Sequence, residues 1–166
     1  SERADTALKT LLEAVPGAKA ILIPCDLSDF PSVREAAKQV IEKYPQGIDV
    51  LCNNAGIMAC ADKACNEGFD VQMKTNHLSH YLLTKELYPL LEKAAAEKGE
   101  ARVVNHSSGA RKMPNVPIDE KYLGKNGGNL GGDATSYTFT GPRWKRYQQT
   151  KLANVVFTLA MHDKLQ

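Results

Sequence analysis

The sequence predicts an α/β fold with a parallel sheet, and two observations support this prediction. Short apolar runs typical of buried strands alternate along the chain with longer segments whose apolar residues recur at the helical period. Strands that alternate with helices are typical of parallel sheets covered by helices. The 166 residues, of which 43% are hydrophobic and 24% charged, have the composition of an ordinary globular domain. We therefore expect one domain, or part of a larger one.

The first two elements are a helix and a strand. Apolar residues between Ala4 and Val15 lie on one face of an amphipathic helix, which the following Pro-Gly-Ala stretch ends. The next apolar run, “KAILIPCDL”, is rich in Ile and Leu and predicts a buried strand around residues 21–24. Asp26 follows this strand directly.

A second helix and a second strand come next. Apolar residues in the range 33–44 recur at the helical period, and Ser28 or Asp29 is the expected cap before Pro31. The run “GIDVLCNNAG” then predicts a strand at residues 48–52, which ends in a polar turn closed by glycine.

The second half of the chain predicts two long helices on either side of a third strand. Residues 67–97 form the first helix, which is apolar on most sides in its centre, so we expect it to be buried or to lie at an interface, with a kink at Pro89. The run “ARVVNHSS” predicts a strand at residues 102–105. A long Gly-rich insert, residues 110–142, separates this strand from the last helix, which begins near Trp144.

Small and hydrogen-bonding residues follow all three predicted strands. Asp26 follows the first, residues 53–56 (“NNAG”) follow the second, and Ser107 and Ser108 follow the third. In open α/β sheets, ligands bind at the carboxyl ends of the strands. Each of these residues could instead serve only as a cap or a turn. Their repetition at three strand ends favours a ligand site at this edge.

A tyrosine and a lysine stand four residues apart in “RYQQTKLAN”. This spacing places Tyr147 and Lys151 on one helix face, one turn apart. The same spacing recurs at Tyr81 and Lys85, so the spacing alone does not identify a catalytic pair.

Several of these motifs resemble those of the short-chain dehydrogenases/reductases, along nearly the whole chain. “NNAG” resembles the signature that follows the family's fourth strand. Asn76, in “KTNHLSHYLLT”, stands where the family has an asparagine in the following helix. Asp26, in “CDLSD”, matches the aspartate that contacts the adenine ring.

The catalytic residues of this family also have counterparts in the chain. Ser108, the second serine of “VVNHSS”, matches the catalytic serine, and Tyr147 with Lys151 match the catalytic tyrosine and lysine. The family places this pair on the helix after the serine strand, where Tyr147 and Lys151 stand. Tyr81 and Lys85 do not stand there, so we interpret them as helix surface or packing.

The resemblance implies a partial Rossmann-like, doubly wound parallel sheet in which the predicted strands are the third, fourth and fifth. Residues 1–166 would then form a single, incomplete dinucleotide-binding domain. The implied catalytic residues are Asn76, Ser108, Tyr147 and Lys151. The implied cofactor-binding residues are Asp26, Leu27, Asn53, Asn54, Ala55, Gly56, Tyr147 and Lys151. The cofactor is NAD or NADP. NADP is favoured because “TNHLSHYLLT” and “YQQTKLANVVFTLAMHDKL” resemble the retinol-dehydrogenase-like and protochlorophyllide-reductase-like branch.

The implied function is NAD(P)-dependent interconversion of a carbonyl and an alcohol on a bulky apolar small molecule. A phenol titrates near pH 10 and a nearby ammonium favours the phenolate, so Lys151 would assist Tyr147 in moving the proton and would also bind ribose hydroxyls. Ser108 would hold the substrate oxygen. Asn76 would organise a water that links Lys151 to solvent. Its alternative role is to bond a nearby backbone carbonyl.

Two other functions stay open at this point. The first is an oxidoreductase-like chain retained as a catalytically idle accessory or scaffold subunit. The second is a sugar-nucleotide epimerase of the extended branch, which shares the Tyr and Lys. The “NNAG” turn and the “NHSS” strand fit the shorter branch better.

The net charge, the length of the apolar runs and the two long helices indicate which kinds of partner to expect. The net charge of +2 is too small and too scattered to indicate binding to nucleic acid. No apolar run approaches the ~20 residues that span a bilayer. The helices at 67–97 and 144–166 are the expected contact surface of a homodimer or larger assembly.

Neither the cysteines nor the histidines predict a metal site. Cys25 and Cys52 lie in apolar strand runs and are interpreted as buried thiols. Cys60 and Cys65 lie in a loop and lack the second pair of ligands that a zinc site needs. The two histidines of “NHLSH” lack a carboxylate or thiol to complete a ligand set. Four free thiols indicate a reducing compartment, cytoplasm or organelle interior.

Three further expectations concern the geometry. Helical patterns reach both ends of the chain, so we expect the polypeptide to continue there. In the doubly wound strand order the first and second strands lie between the third and fourth, so residues 21–24 should not pair directly with 48–52. The insert 110–142 joins Ser108 to Tyr147, so we expect it to cover part of the substrate cleft.

Overall fold

A computed structural model describes residues 2–113, 115–131 and 141–165. In chain order its elements are α1 (Glu2–Ala14), α2 (Phe30–Lys43), β1 (Val50–Asn53), α3 (Val71–Met73), a π-helical segment (Lys74–Leu78), α4 (Ser79–Lys98), β2 (Arg102–Asn105), a 3₁₀ helix (Gly109–Lys112), α5 (Glu120–Leu123) and α6 (Pro142–Leu165). The segments from α3 to α4 are continuous, so they form the long helix predicted at 67–97, beginning a turn later. Among the described residues, no helix is long and apolar enough to cross a membrane.

The sheet is parallel, as predicted. β1 pairs with β2 in parallel, with Val50 opposite Arg102 and Asn53 opposite Asn105. The long helix from α3 to α4 makes the crossover between the two strands, so both strands end at the same edge of the sheet. This arrangement positions the residues that follow each strand close to one another.

Residues 21–24 form no strand in the described part of the chain, where the sheet consists of β1 and β2. Ile21 is 46% and Leu22 43% exposed, so the prediction of a buried strand is wrong here. A strand needs a neighbour for its N–H and C=O groups, and in the doubly wound order this segment is not a neighbour of β1. The expected absence of direct pairing between these two segments is confirmed.

The two faces of the sheet differ in exposure. Leu51 and Asn53 are buried, whereas Val50 and Cys52 are exposed, because side chains alternate along a strand. Cys25 is also exposed, so the prediction that Cys25 and Cys52 are buried is wrong. Cys52 lies on the face that the described residues leave open, where Val104 is 47% exposed. All four cysteines are free thiols, as predicted.

The main core lies between the covered face of the sheet, α2 and α4. Its buried members are Ala37, Leu51, Leu87, Leu90 and Leu91. α2 begins at a cap in which the Asp29 carboxylate accepts a hydrogen bond from the Ser32 amide at 3.0 Å, so Asp29 rather than Ser28 is the N-cap. This packing fixes α4 against β1 and so places the helix that carries Asn76.

The described part of the insert packs on the helices that frame the strand ends. Tyr122 of α5 belongs to a second buried cluster with Met73 and Ala153. The Gln149 side chain accepts a hydrogen bond from the Asp119 amide at 2.9 Å. Residues 114 and 132–140 lie outside the described residues, so the idea that the insert covers a substrate cleft stays a prediction.

Candidate active site

Tyr147 and Lys151 lie on a buried face of α6. Their exposures are 9% and 4%. The Lys151 ammonium lies 5.7 Å from the centre of the Tyr147 ring and donates a hydrogen bond to the His106 carbonyl at 3.1 Å. Burial lowers the pKa of Lys151. The structure therefore places a desolvated ammonium beside a phenol ring, next to the end of β2.

The second tyrosine–lysine pair has a different environment. Tyr81 is 49% exposed, and its ring packs edge-on against Phe157 at 5.3 Å between centroids. Lys85 is exposed on the same face of α4. The interpretation of this pair as helix surface and packing agrees with the structure.

The end of β2 is fastened to the turn of α6 that carries Lys151. The Ser107 hydroxyl donates a hydrogen bond to the Lys151 carbonyl at 2.7 Å. Ser108 follows and is the N-cap of the 3₁₀ helix, where its hydroxyl oxygen accepts from the Ala110 amide at 3.2 Å. A hydroxyl that accepts one hydrogen bond keeps its proton for donation to another acceptor.

Asn76 is fully buried in the π-helical segment and holds the loop after β1. Its side chain accepts from the Ile57 amide and donates to the Ile57 carbonyl, both at 2.8 Å. It also donates to the Thr150 hydroxyl at 3.1 Å. The Asn76 side chain therefore bonds a backbone carbonyl, as the alternative interpretation expects, but one in the loop after “NNAG” rather than in its own helix.

The π-helical segment changes what the Asn76 carbonyl contacts. The Ser79 amide bonds the Lys74 carbonyl five residues earlier, and such segments are frequent at functional sites. The Asn76 carbonyl accepts from the His80 ring at 3.1 Å and from the Asn154 amide group at 3.1 Å.

The turn “NNAG” approaches these residues closely. A Cβ added at Gly56 would lie 3.2 Å from the Asn76 side-chain oxygen and 3.5 Å from the Lys151 ammonium. Asn54, Ala55 and Gly56 are exposed. The glycine thus lets the backbone of this turn pass close to Lys151 while its other side stays open.

The first two members of the turn are held in different ways. Asn53 is 2% exposed, and its side chain donates to Thr84 at 2.9 Å and to Asn105 at 2.8 Å. The Asn54 side-chain oxygen lies 2.9 Å from the His106 ring nitrogen. The Asn53 side chain therefore ties β1 to α4 and β2 rather than facing the open edge.

Asp26 and Leu27 lie beside the start of α4. The exposed Asp26 carboxylate accepts from the Ser28 hydroxyl at 2.7 Å and the Ser28 amide at 2.8 Å, and these hydrogen bonds lower the pKa of Asp26. The Leu27 carbonyl accepts from the Ser79 hydroxyl at 2.7 Å. Because Ser79 begins α4, this bond docks the Asp26 segment on the helix that contains Asn76.

The two histidines beside Asn76 serve in packing. His77 lies 3.0 Å from the Asn154 side-chain oxygen, and His80 contacts the Asn76 carbonyl. Burial lowers the pKa of both rings. Within the described ranges, no three His, Cys, Asp or Glu side chains are grouped so that they could hold a metal ion.

Two residues that the sequence motifs did not indicate join the predicted site residues. Asn154 donates to the Asn76 carbonyl at 3.1 Å and to the His106 carbonyl at 3.0 Å. The Thr150 hydroxyl accepts from Asn76 and donates to the Tyr147 carbonyl at 2.7 Å. The spacing of Asn154, three residues after Lys151, places it one turn further along α6 and could have indicated its role.

Comparison with known proteins decides the family. The sequence pattern described as “short chain dehydrogenase” matches residues 1–119. The chain belongs to the short-chain dehydrogenase/reductase family. The short-chain dehydrogenase/reductase prx1 of Penicillium rubens is 36% identical over 157 residues, which cover 95% of this chain and 41% of that protein. Retinol dehydrogenase 13 of Homo sapiens is 33% identical over 141 residues, which cover 85% of this chain and 37% of that protein.

A solved structure shows the same fold. The NADPH-bound carbonyl reductase from chicken fatty liver superposes with a TM-score of 0.65 at 25% identity, covering 94% of this chain and 56% of that chain. The partial Rossmann-like fold expected for a short-chain dehydrogenase/reductase is thereby confirmed. The chain spans less than half the length of the two curated relatives.

Proposed function

We propose that the full-length polypeptide is an NAD(P)-dependent oxidoreductase that interconverts a carbonyl and an alcohol, with Tyr147 as the acid/base. The observation that carries this proposal is the convergence of two other segments on the turn of α6 that contains Tyr147 and Lys151. Tyr147 lies one turn from Lys151, the His106 carbonyl after β2 accepts a hydrogen bond from the Lys151 ammonium, and a Cβ added at Gly56 would lie 3.5 Å from that ammonium. Such a convergence is expected where a nucleotide and a reacting group meet.

The residues at this edge fit a dinucleotide. Asp26 presents an exposed carboxylate suited to hydrogen-bond an adenine, and residues 54–56 are exposed as well. A side chain added at Gly56 would crowd the Asn76 side-chain oxygen and contact the Lys151 ammonium, so the glycine keeps the turn close to both. The Lys151 ammonium has three donors, of which the His106 carbonyl uses one, so the others suit ribose hydroxyls. Leu27 and Asn53 attach this surface to α4 through their hydrogen bonds with Ser79 and Thr84.

The proposed chemistry divides between the cofactor and the chain. A nicotinamide cofactor, when bound, supplies or accepts the hydride. Tyr147 gives the proton to the carbonyl oxygen or takes it from the alcohol, and the Lys151 ammonium stabilises the phenolate that remains. The Ser108 hydroxyl holds the substrate oxygen by donating a hydrogen bond. Asn76 keeps the “NNAG” turn and α6 together and is the residue we assign to the proton path from Lys151 to solvent.

We propose the substrate class and the cofactor preference by analogy with two relatives. These relatives are a retinol dehydrogenase and an NADPH-bound carbonyl reductase. They support a bulky apolar carbonyl compound as substrate and favour NADP over NAD.

The experiment that tests the proposal is a turnover assay on the full-length polypeptide. NADPH and NADH are each mixed with a panel of apolar aldehydes and ketones, and oxidation of the cofactor is followed by the loss of its fluorescence. We expect cofactor-dependent turnover that the Ser108→Ala change lowers about 100- to 1,000-fold, the range for removing one oxyanion donor. Tight cofactor binding without turnover on any substrate would support the scaffold alternative instead.

We also infer that α4 and α6 form the contact surface of a homodimer. Both helices expose apolar side chains on neighbouring faces: Tyr81 is 49%, Val156 45%, Leu159 58% and Leu165 62% exposed. Burying such a surface against a second copy removes it from water. We expect Leu159→Glu to shift the full-length protein from dimer to monomer in sedimentation, while Lys38→Glu, at an exposed position of α2, leaves the mass unchanged. A wild-type protein that sediments as a monomer would contradict this inference.

A further inference from the structure

Arg146 directly precedes Tyr147 but is buried on another side of α6. Its side chain is fully buried. The guanidinium donates to the Asp70 carboxylate at 2.8 Å, to the Cys60 carbonyl at 2.9 Å and to the Gly131 carbonyl at 3.3 Å. These three partners belong to three different segments. A planar guanidinium with several fixed donors therefore holds α6 against all three at once.

Asp70 connects this contact to the helix that carries Asn76. It is 1% exposed, and its second carboxylate oxygen accepts from the Met73 amide at 2.9 Å as the N-cap of α3. Burial raises the pKa of Asp70 despite this contact and the nearby Arg146, which indicates a poorly solvated environment. The ion pair thus joins the start of the Asn76 helix to the turn of α6 that contains Tyr147.

The other partners connect Arg146 to the loop after “NNAG” and to the end of the insert. The Cys60 carbonyl lies four residues beyond Gly56. Asp62, in the same loop, accepts from the Leu130 amide at 2.7 Å and also from the Gly131 amide. Gly131 is therefore held from both sides, by Arg146 at its carbonyl and by Asp62 at its amide.

We propose that the Arg146–Asp70 pair is a positioning device for Tyr147, which sets the rotation of α6 about its own axis. This inference rests on the proposed function, because it assigns Arg146 a role through Tyr147 and not through contact with substrate. Consecutive helical residues point about 100° apart, so an anchor at Arg146 determines the direction of the next side chain.

A small rotation has a large consequence for the phenol. The phenol oxygen lies roughly 9 Å from the helix axis, so a rotation of about 6° moves it by about 1 Å. Misplacement by about 1 Å can lower a rate about 100-fold. A buried ion pair adds little net stability compared with well-packed apolar residues. Its directional hydrogen bonds suit it to specify geometry instead.

The test uses the full-length polypeptide with Arg146→Gln, Asp70→Asn and the double variant. Asparagine caps helices as well as aspartate does, so Asp70→Asn removes the ion pair but keeps the cap. We expect kcat to fall about 10- to 100-fold in both single variants. KM should stay within about threefold of wild type, because the phenol contributes little to binding. The cofactor Kd should rise less than kcat falls, because Lys151 lies on the same helix but its flexible side chain adjusts to a small rotation. The kcat of the double variant should be no lower than that of the slower single variant, because both changes remove the same interaction.

Lys145→Gln is the matched control, since Lys145 is an exposed cation on the other side of Arg146. It should leave kcat unchanged. An Arg146→Gln protein with wild-type kcat overturns the proposal. So does a loss of kcat that is accompanied by an equal loss of cofactor affinity, which indicates general structural damage. If Arg146→Gln fails to fold, Asp70→Asn decides by the same criteria.

A second readout does not depend on activity. Fluorotyrosine labelling gives one fluorine NMR resonance for Tyr147, assigned by its loss in Tyr147→Phe. We expect this resonance to shift in Arg146→Gln and Asp70→Asn but not in Lys145→Gln. An unchanged resonance overturns the positioning role even if the enzyme is active. If the wild-type protein shows no turnover but the Tyr147 resonance shifts in Arg146→Gln and Asp70→Asn, the positioning role is supported. Only the proposed function is then contradicted.

Discussion

Replacing Tyr147 by Phe is expected to lower the turnover of the full-length polypeptide about 100- to 10,000-fold while leaving cofactor binding intact. The magnitude is that of losing a positioned acid/base. Binding should survive because the phenol moves a proton and contributes little to the grip on the cofactor. The ring remains and keeps its edge-on contact with Trp144 at 6.0 Å, so the helix packing should not change. The measurement is kcat together with the cofactor Kd from fluorescence titration.

Tyr81→Phe is the matched control for this change. Tyr81 precedes Lys85 at the same spacing, but its ring packs on Phe157 at the surface of α4. We expect this variant to keep wild-type turnover. A Tyr147→Phe protein with turnover within a few-fold of wild type would show that this tyrosine is not the acid/base.

Replacing Lys151 by Met is expected to impair both turnover and cofactor binding. The ammonium is the only charged group that we assign to the ribose, and a hydrogen bond to a charged group contributes roughly 1.5–3 kcal/mol, so the cofactor Kd should rise about 10- to 150-fold. Turnover should fall further because the phenolate of Tyr147 loses its stabilising charge. Lys85→Met on α4, where the side chain is exposed, should change neither quantity.

Lys151 should also set the alkaline limit of activity. Burial lowers the pKa of Lys151, so its ammonium loses the proton at a lower pH than that of a free lysine. Activity that needs the charged form is present below this pKa and is lost as the pH rises through it. Lys151→Arg, which stays charged, should move the alkaline limb of the pH–rate profile to higher pH. An alkaline limb that is identical in the two proteins would contradict this assignment.

Much of the candidate site is visible in the sequence because it consists of short motifs. The four-residue spacing of Tyr147 and Lys151 can be read from a short stretch of sequence. The ends of the strands are predicted from runs of apolar residues. The spacing nevertheless occurs twice, and the family resemblance was needed to choose Tyr147 over Tyr81. The structure supports that choice through burial, since Tyr147 is 9% and Tyr81 49% exposed.

What holds the site together could not be predicted in the same way. Arg146 and Asp70 are 76 residues apart in the chain, and Asn154 and Asn76 are 78 apart. A charged residue inside a helix is usually a solvated one, so nothing local to Arg146 indicates that it is buried.

The sequence by itself determined the α/β layering, the parallel sheet, the family and the order of the candidate catalytic residues, because these depend on local periodicity and on short motifs. Tertiary structure alone decided that Cys52 lies on an open face, that residues 21–24 form no strand in the described part of the chain, and that Arg146 is buried. The physical reason is that burial and pairing depend on which segments pack side by side. Which segments pack together depends on residues that are far apart in the chain, so a short stretch of neighbouring residues does not determine it.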